Sequence, residues 1–120
     1  MERLFDVARV LFALPGIELA RRTEGPAPLV NRLRLRGIRR VARSEVQRRS
    51  LRRAIAAVDA RLGDSGNCYR RALLEIALDR DAAEKPFFMG LTASGGPRSG
   101  HAWLGSEAVP LRAYDAIISL

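Results

Sequence analysis

The sequence predicts an α+β fold in which N-terminal helices precede a small antiparallel sheet. Two observations carry this. Apolar residues recur at three-and-four spacing through most of the chain, and after Lys85-Pro86 they contract into short runs with aromatic content. A length of 120 residues suits one domain, read as a helical, basic part over 1–62 and a part over 63–120 holding a cysteine-bearing helix and the sheet.

Leu4, Val7, Ala8, Leu11 and Phe12 mark one face of a helix from about Glu2 to Ala13. Pro15-Gly16 interrupts it, leaving room for a short helical piece over Ile17 to Arg22 before the breaker-rich loop Thr23 to Pro28. Leu29, Val30, Leu33 and Leu35 resume the apolar pattern. Ile38, Val41, Ala42, Val46, Leu51, Ile55, Val58 and Leu62 then trace a long helical stripe with arginines mostly off it. Turn formers from Gly63 to Asn67 end that helix. A new helix runs Cys68 to Asp79, with Ala72, Leu73, Ile76 and Ala77 at helical spacing, so Cys68 sits at a helix N-terminus. Phe87 to Thr92 reads as a strand, Ser94 to Gly100 as a loop, His101 to Leu104 as a second strand and Tyr114 to Leu120 as a third.

Composition narrows the function classes. Hydrophobic residues at 48% and charged residues at 28% give the chain material for a core. A net charge of +8 comes from 21 basic and 13 acidic residues, and Lys85 is the sole lysine, a bias that fits a GC-rich genome. All of the excess falls in residues 1–67, whereas 68–120 are neutral; Arg32 to Arg53 alone holds ten arginines against Glu45. That stretch is either a docking surface for an anionic partner or a solvated helical face. Val10 to Leu14, ended by Pro15 and preceded by Glu2 and Asp6, is too short for a membrane span and lacks the cationic start of a signal peptide, so a cytoplasmic protein is expected. One cysteine excludes an intramolecular disulfide, and with one histidine the chain cannot build a Cys/His zinc site; no cofactor or metal is called for.

The same two residues can carry chemistry. A thiol attacks as its thiolate, which a helix N-terminus favours, and the N–H groups there can hold an oxyanion formed on the attacked carbonyl. Cys68 is placed for both effects. The general base would be His101, 33 residues downstream at a strand start. For the group that orients the imidazole, Glu107 and Asp115 are the carboxylates after His101. If the second and third strands pair through a turn near Ala108, Asp115 lies opposite His101 while Glu107 falls in the turn, which selects Asp115. Plainer roles are open to each: a lone cysteine as a small apolar filler, a lone histidine as a structural group, Asp115 as a strand-end solubiliser and Trp103 as core.

The run Gly66-Asn67-Cys68-Tyr69-Arg70-Arg71-Ala72-Leu73, followed some thirty residues later by Gly100-His101-Ala102-Trp103, resembles the transglutaminase-like cysteine leader peptidases of lasso peptide biosynthesis, the B proteins. The likeness spans roughly residues 40 to 120. It implies a papain- or transglutaminase-like fold, Cys68 as nucleophile and His101 as base. It also implies a precursor leader peptide as substrate, and a macrolactam-forming cyclase acting after cleavage. Nothing before Cys68 reads as a winged-helix recognition domain, so the resemblance favours the stand-alone peptidase form, with a separate small leader-recognition protein. Many relatives carry an acid or amide eleven or twelve positions after the histidine, where this chain has Arg112 and Ala113, so Asp115 stands on pairing geometry alone. The competing expectations are an acyltransferase using the same pair, an inactive relative, and a module whose Arg32 to Arg53 surface grips nucleic acid, although that stretch lacks interleaved aromatics and any reader motif.

Overall fold

Five helices lead into a three-stranded antiparallel sheet in the computed structural model, which describes residues 2–64, 66–92, 99–105 and 116–120. The helices are α1 (Glu2–Thr23), α2 (Pro26–Ile38), α3 (Glu45–Asp59), α4 (Cys68–Leu78) and α5 (Arg80–Glu84). The strands are β1 (Phe87–Thr92), β2 (Ser99–Leu104) and β3 (Ala116–Ser119). The α+β reading therefore holds, and several elements differ from expectation for identifiable reasons.

The first helix does not stop at Ala13 but continues through Pro15 to Thr23. Pro15 and Gly16 lie on the exposed side. The carbonyl that the proline leaves without its helical donor belongs to Leu11, itself about half exposed, so water can satisfy it. Meanwhile the buried row Val10, Ala13, Ile17 and Ala20 runs unbroken past the proline. The face expected to pack is also the wrong one. Leu4, Leu11 and Phe12 are exposed, and Asp6 is fully buried in the packed row, where its carboxylate accepts from Arg9 and Arg43 at 3.0 and 3.1 Å and from the Ser50 hydroxyl at 3.0 Å. Two apolar rows compete on this helix, and periodicity does not say which one meets a partner.

The prolines of the expected loop instead open α2, where a missing N–H costs nothing, with Gly25 as N-cap. The stripe read from Ile38 to Leu62 is two helices with a connector between them. Ser44 ends the connector with a capping box: its hydroxyl accepts the Gln47 N–H at 3.2 Å while the Gln47 side chain accepts the Ser44 N–H at 2.9 Å. Further on, α4 ends at Leu78 because Asp79 caps the short α5, its carboxylate accepting the Asp81 N–H at 3.1 Å.

A single buried cluster joins α1 to α5 and the first two strands, including Leu29, Leu33, Leu51, Ile55, Leu73, Ile76 and Phe87. Gly37 permits the closest approach within it: a Cβ there would stand 2.0 Å from the Ile76 carbonyl oxygen and 2.7 Å from the Ala83 Cβ. The sheet order is β2-β1-β3, with Met89 between Ala102 and Ile118, and Gly90 between His101 and Ile117. The second and third strands thus do not pair with each other. β2 is an edge strand, and the N-terminal end of α4 closes on that edge.

Candidate active site

The turn before α4 fixes where the thiol sits. Gly66 adopts φ of +78°, a conformation suited to glycine, and its N–H donates to the buried Asp59 carboxylate at 2.7 Å. Asn67 is the N-cap, its side-chain oxygen accepting the Arg70 N–H at 2.9 Å and its carbonyl accepting the Arg71 N–H at 3.1 Å. Cys68 is consequently the first residue of α4, half-buried against the core.

Beneath this turn lies the charge cluster that anchors it. Arg70 is 1% exposed, and each of its nitrogens reaches a different carboxylate: Nε to Glu18 at 2.6 Å, Nη1 to Asp59 at 2.6 Å and Nη2 to Asp64. Arg21 adds a contact to Glu18 at 2.8 Å. Burial by itself would weaken the Arg70 charge, but the three carboxylates outweigh it and hold the guanidinium above its already high pKa. The effect is reciprocal. Burial would raise Glu18, yet hydrogen bonds from Arg21 and Arg70 carry it below the usual value, and Asp64 is lowered chiefly by its bond to Arg70. One buried cation therefore ties α1, the end of α3 and the turn before Cys68 together.

The second half of the site comes from β2. The backbone N–H of Ala102 donates to the Cys68 Sγ at 3.2 Å. An edge strand has N–H groups facing out of the sheet, and here the thiol meets one of them. The residue before Ala102 is His101, half-buried, whose ring stacks on Trp103 with centroids 5.6 Å apart and planes at 17°. Trp103 in turn stacks on Phe88 at 5.7 Å. This ladder fixes the imidazole on one face of the sheet. Cys68 and His101 line a common cavity of about 250 Å³ with Ala102, Arg71 and an Arg52–Glu75 ion pair of 3.1 Å.

The two residues selected in the sequence as nucleophile and base are thus brought to one cavity, with the backbone beside the base touching the sulfur. Asp115 is a different case. The strand pairing that set it opposite His101 is not formed, because β1 lies between β2 and β3, and the residue two strands across from His101 is Ile117. Asp115 itself, like Glu107, Arg112 and Ala113, lies outside the described residues. Arg70 is an anchor that the helical periodicity does not mark. Asp59 and Asp64 flank it within eleven positions, which is a local signal, but Glu18 joins only through the fold. Among the described residues no cluster of His, Cys, Asp and Glu could hold a metal ion, and no helix is long and apolar enough to cross a membrane. Comparison with protein-family models, with curated proteins and with solved structures finds no match to the chain.

Proposed function

We propose that the protein is a cysteine peptidase of the transglutaminase-like kind that removes the leader from a ribosomally made lasso precursor peptide. The observation that carries this reading is the Ala102 N–H bonded to the Cys68 sulfur, which sets a helix-start thiol beside the strand that bears His101. A cysteine opening a helix against a histidine-bearing strand is the arrangement that papain- and transglutaminase-like folds use for acyl transfer.

In the proposed reaction His101 takes the thiol proton as Cys68 Sγ attacks the scissile carbonyl. The first-turn N–H groups of α4 not taken by Asn67, those of Cys68 and Tyr69, receive the oxyanion. Collapse of the tetrahedral species breaks the C–N bond, and His101 passes its proton to the leaving amine, so that the acylated fragment stays on sulfur as a thioester. Water then attacks the thioester with His101 as base. The carboxylic acid leaves, and the thiol is restored. A separate small recognition protein would deliver the leader and a cyclase would take the released core.

The test is cleavage of purified precursor in the presence of its recognition partner. Cys68→Ala should abolish leader removal with an unchanged circular dichroism spectrum, and His101→Ala should do the same. Full cleavage by Cys68→Ala overturns the proposal. Mass analysis of wild-type products distinguishes hydrolysis, one added water, from transfer to an amine, which would move the assignment to an acyltransferase on the same pair.

A further inference from the structure

The exposed row of α1 does not end in open solvent. Phe5 and Phe12, 59% and 88% exposed, lie seven residues apart, two turns or about 10.5 Å along the helix. Beside them run two adjoining hollows of about 340 Å³ each, both lined by Phe5, Arg9, Arg40 and Leu78. Leu78, at the C-terminal end of α4, is buried beneath it, and Val41, 86% exposed, also lines the first hollow. Apolar side chains of this size left bare along a groove mark a contact surface.

Charge says what kind. Arg9, Arg36, Arg40 and Arg43 line the groove. The one carboxylate among the described residues that answers them is Asp6, already shared by Arg9 and Arg43. Among the side chains that the structure describes, none supplies a carboxylate to Arg36 or Arg40. Arg40 is held below its usual pKa, first by partial burial and then by repulsion from Arg36, Arg9 and Arg43, as expected where cations crowd together.

We propose that this groove between α1 and the end of α2 is the docking site for an acidic amphipathic helix of a partner protein, its apolar residues seated against Phe5, Phe12 and Leu78 and its carboxylates facing Arg36 and Arg40. A helix docking in a groove places its apolar anchors at i, i+3 or i+4, and i+7, and its i and i+7 anchors span about 10.5 Å, the same length of helix axis as from Phe5 to Phe12. A second copy fits poorly, because a two-fold contact would set these arginines against themselves. A flat anionic membrane fits poorly as well, because the apolar floor at Leu78 is recessed. The inference does not depend on the thiol chemistry. The groove lies at the other end of α4 from Cys68, ten residues or about 15 Å away along the helix axis.

The test uses the full chain and a labelled fifteen-residue synthetic peptide. The peptide carries leucines at i, i+4, i+7 and i+11 and glutamates elsewhere; a control has lysine at each glutamate. Fluorescence anisotropy should show saturable binding of the glutamate peptide and none of the lysine peptide. Affinity should fall at least tenfold in the Arg36→Glu/Arg40→Glu double variant and at least fivefold in Phe12→Ala, both at exposed positions, with folding checked by circular dichroism. Absence of binding by the glutamate peptide overturns the proposal, as does equal binding of the two peptides. Two further outcomes also overturn it: self-association in analytical ultracentrifugation that Phe12→Ala abolishes, and binding to phosphatidylglycerol vesicles that the glutamate peptide does not compete away. Retained binding by Cys68→Ala is expected, so this result stands or falls apart from the peptidase assignment.

Discussion

Arg70 decides whether the turn before Cys68 keeps its shape, because removing it would leave Asp59 buried with, among the described residues, only the Gly66 N–H to answer it. Breaking a buried pair from one side costs about 3–5 kcal/mol, so Arg70→Met should lower the unfolding free energy by that order in a chemical denaturation series. Arg70→Lys should recover only part of it, since one ammonium cannot span three carboxylates as the planar guanidinium does. The same cluster sets an acid limit. Glu18 and Asp64 are held below their usual values, so their contribution is fully present above the unfolded carboxylate range near pH 4 and is lost as pH falls through the lower, folded values. A thermal midpoint that drops as pH falls below about 5, and drops less in Arg70→Met, is the expected record. Part of the candidate site was legible at this scale. The helix start at Cys68 is a local property, and His101 is the one histidine in the chain, so both could be selected without knowledge of the fold. The choice of Asp115 needed a strand pairing, and pairing is decided by whichever strand reaches the middle of the sheet.

At the scale of elements the decisive contacts are backbone to backbone. Gly37 lets α2 lie on α4, and a methyl group there would meet the Ile76 carbonyl well inside contact distance. Overpacking of this kind costs about 1–3 kcal/mol, so Gly37→Ala should lower Tm even though alanine favours a helix. Ser44→Ala removes one half of the capping box and should cost about 1 kcal/mol, read in the same unfolding series. The Ser44-x-x-Gln47 pattern was legible in the sequence and marks the break that the apolar stripe from Ile38 to Leu62 conceals. In α1 the local signal was the weaker guide. A proline reads as a stop, but its cost is smaller where water can satisfy the carbonyl it frees, and that is fixed by which face the rest of the chain covers. That is also why Leu4, Leu11 and Phe12, on the face that the spacing marks as apolar, stand exposed.

Across the whole molecule the arginine excess divides into paired and unpaired groups, and this division bears on nucleic acid as a partner. Within the Arg32 to Arg53 stretch, Arg32 pairs with Glu24, Arg43 with Asp6, Arg48 with Glu45 and Asp81, Arg49 with Glu45, and Arg52 with Glu75. Arg34 donates to the carbonyls of Lys85 and Leu120 at 3.0 and 2.6 Å. Among the described residues, Arg36, Arg39, Arg40 and Arg53 are left without a carboxylate. Each phosphate neutralised contributes about −0.9 to the slope of log affinity against log salt on duplex DNA. Four free arginines therefore set a slope no steeper than about −3.6, against about −9 if all ten engaged phosphates. Duplex binding measured at several salt concentrations should give the shallow slope or no binding at all. A slope near the steeper figure would mean that the ion pairs open to the nucleic acid, and would return this face to the class of phosphate-tracking surfaces. The shallow slope is the one consistent with a charge distribution spent mainly on holding helices together, with two of the remaining arginines, Arg36 and Arg40, lining a groove.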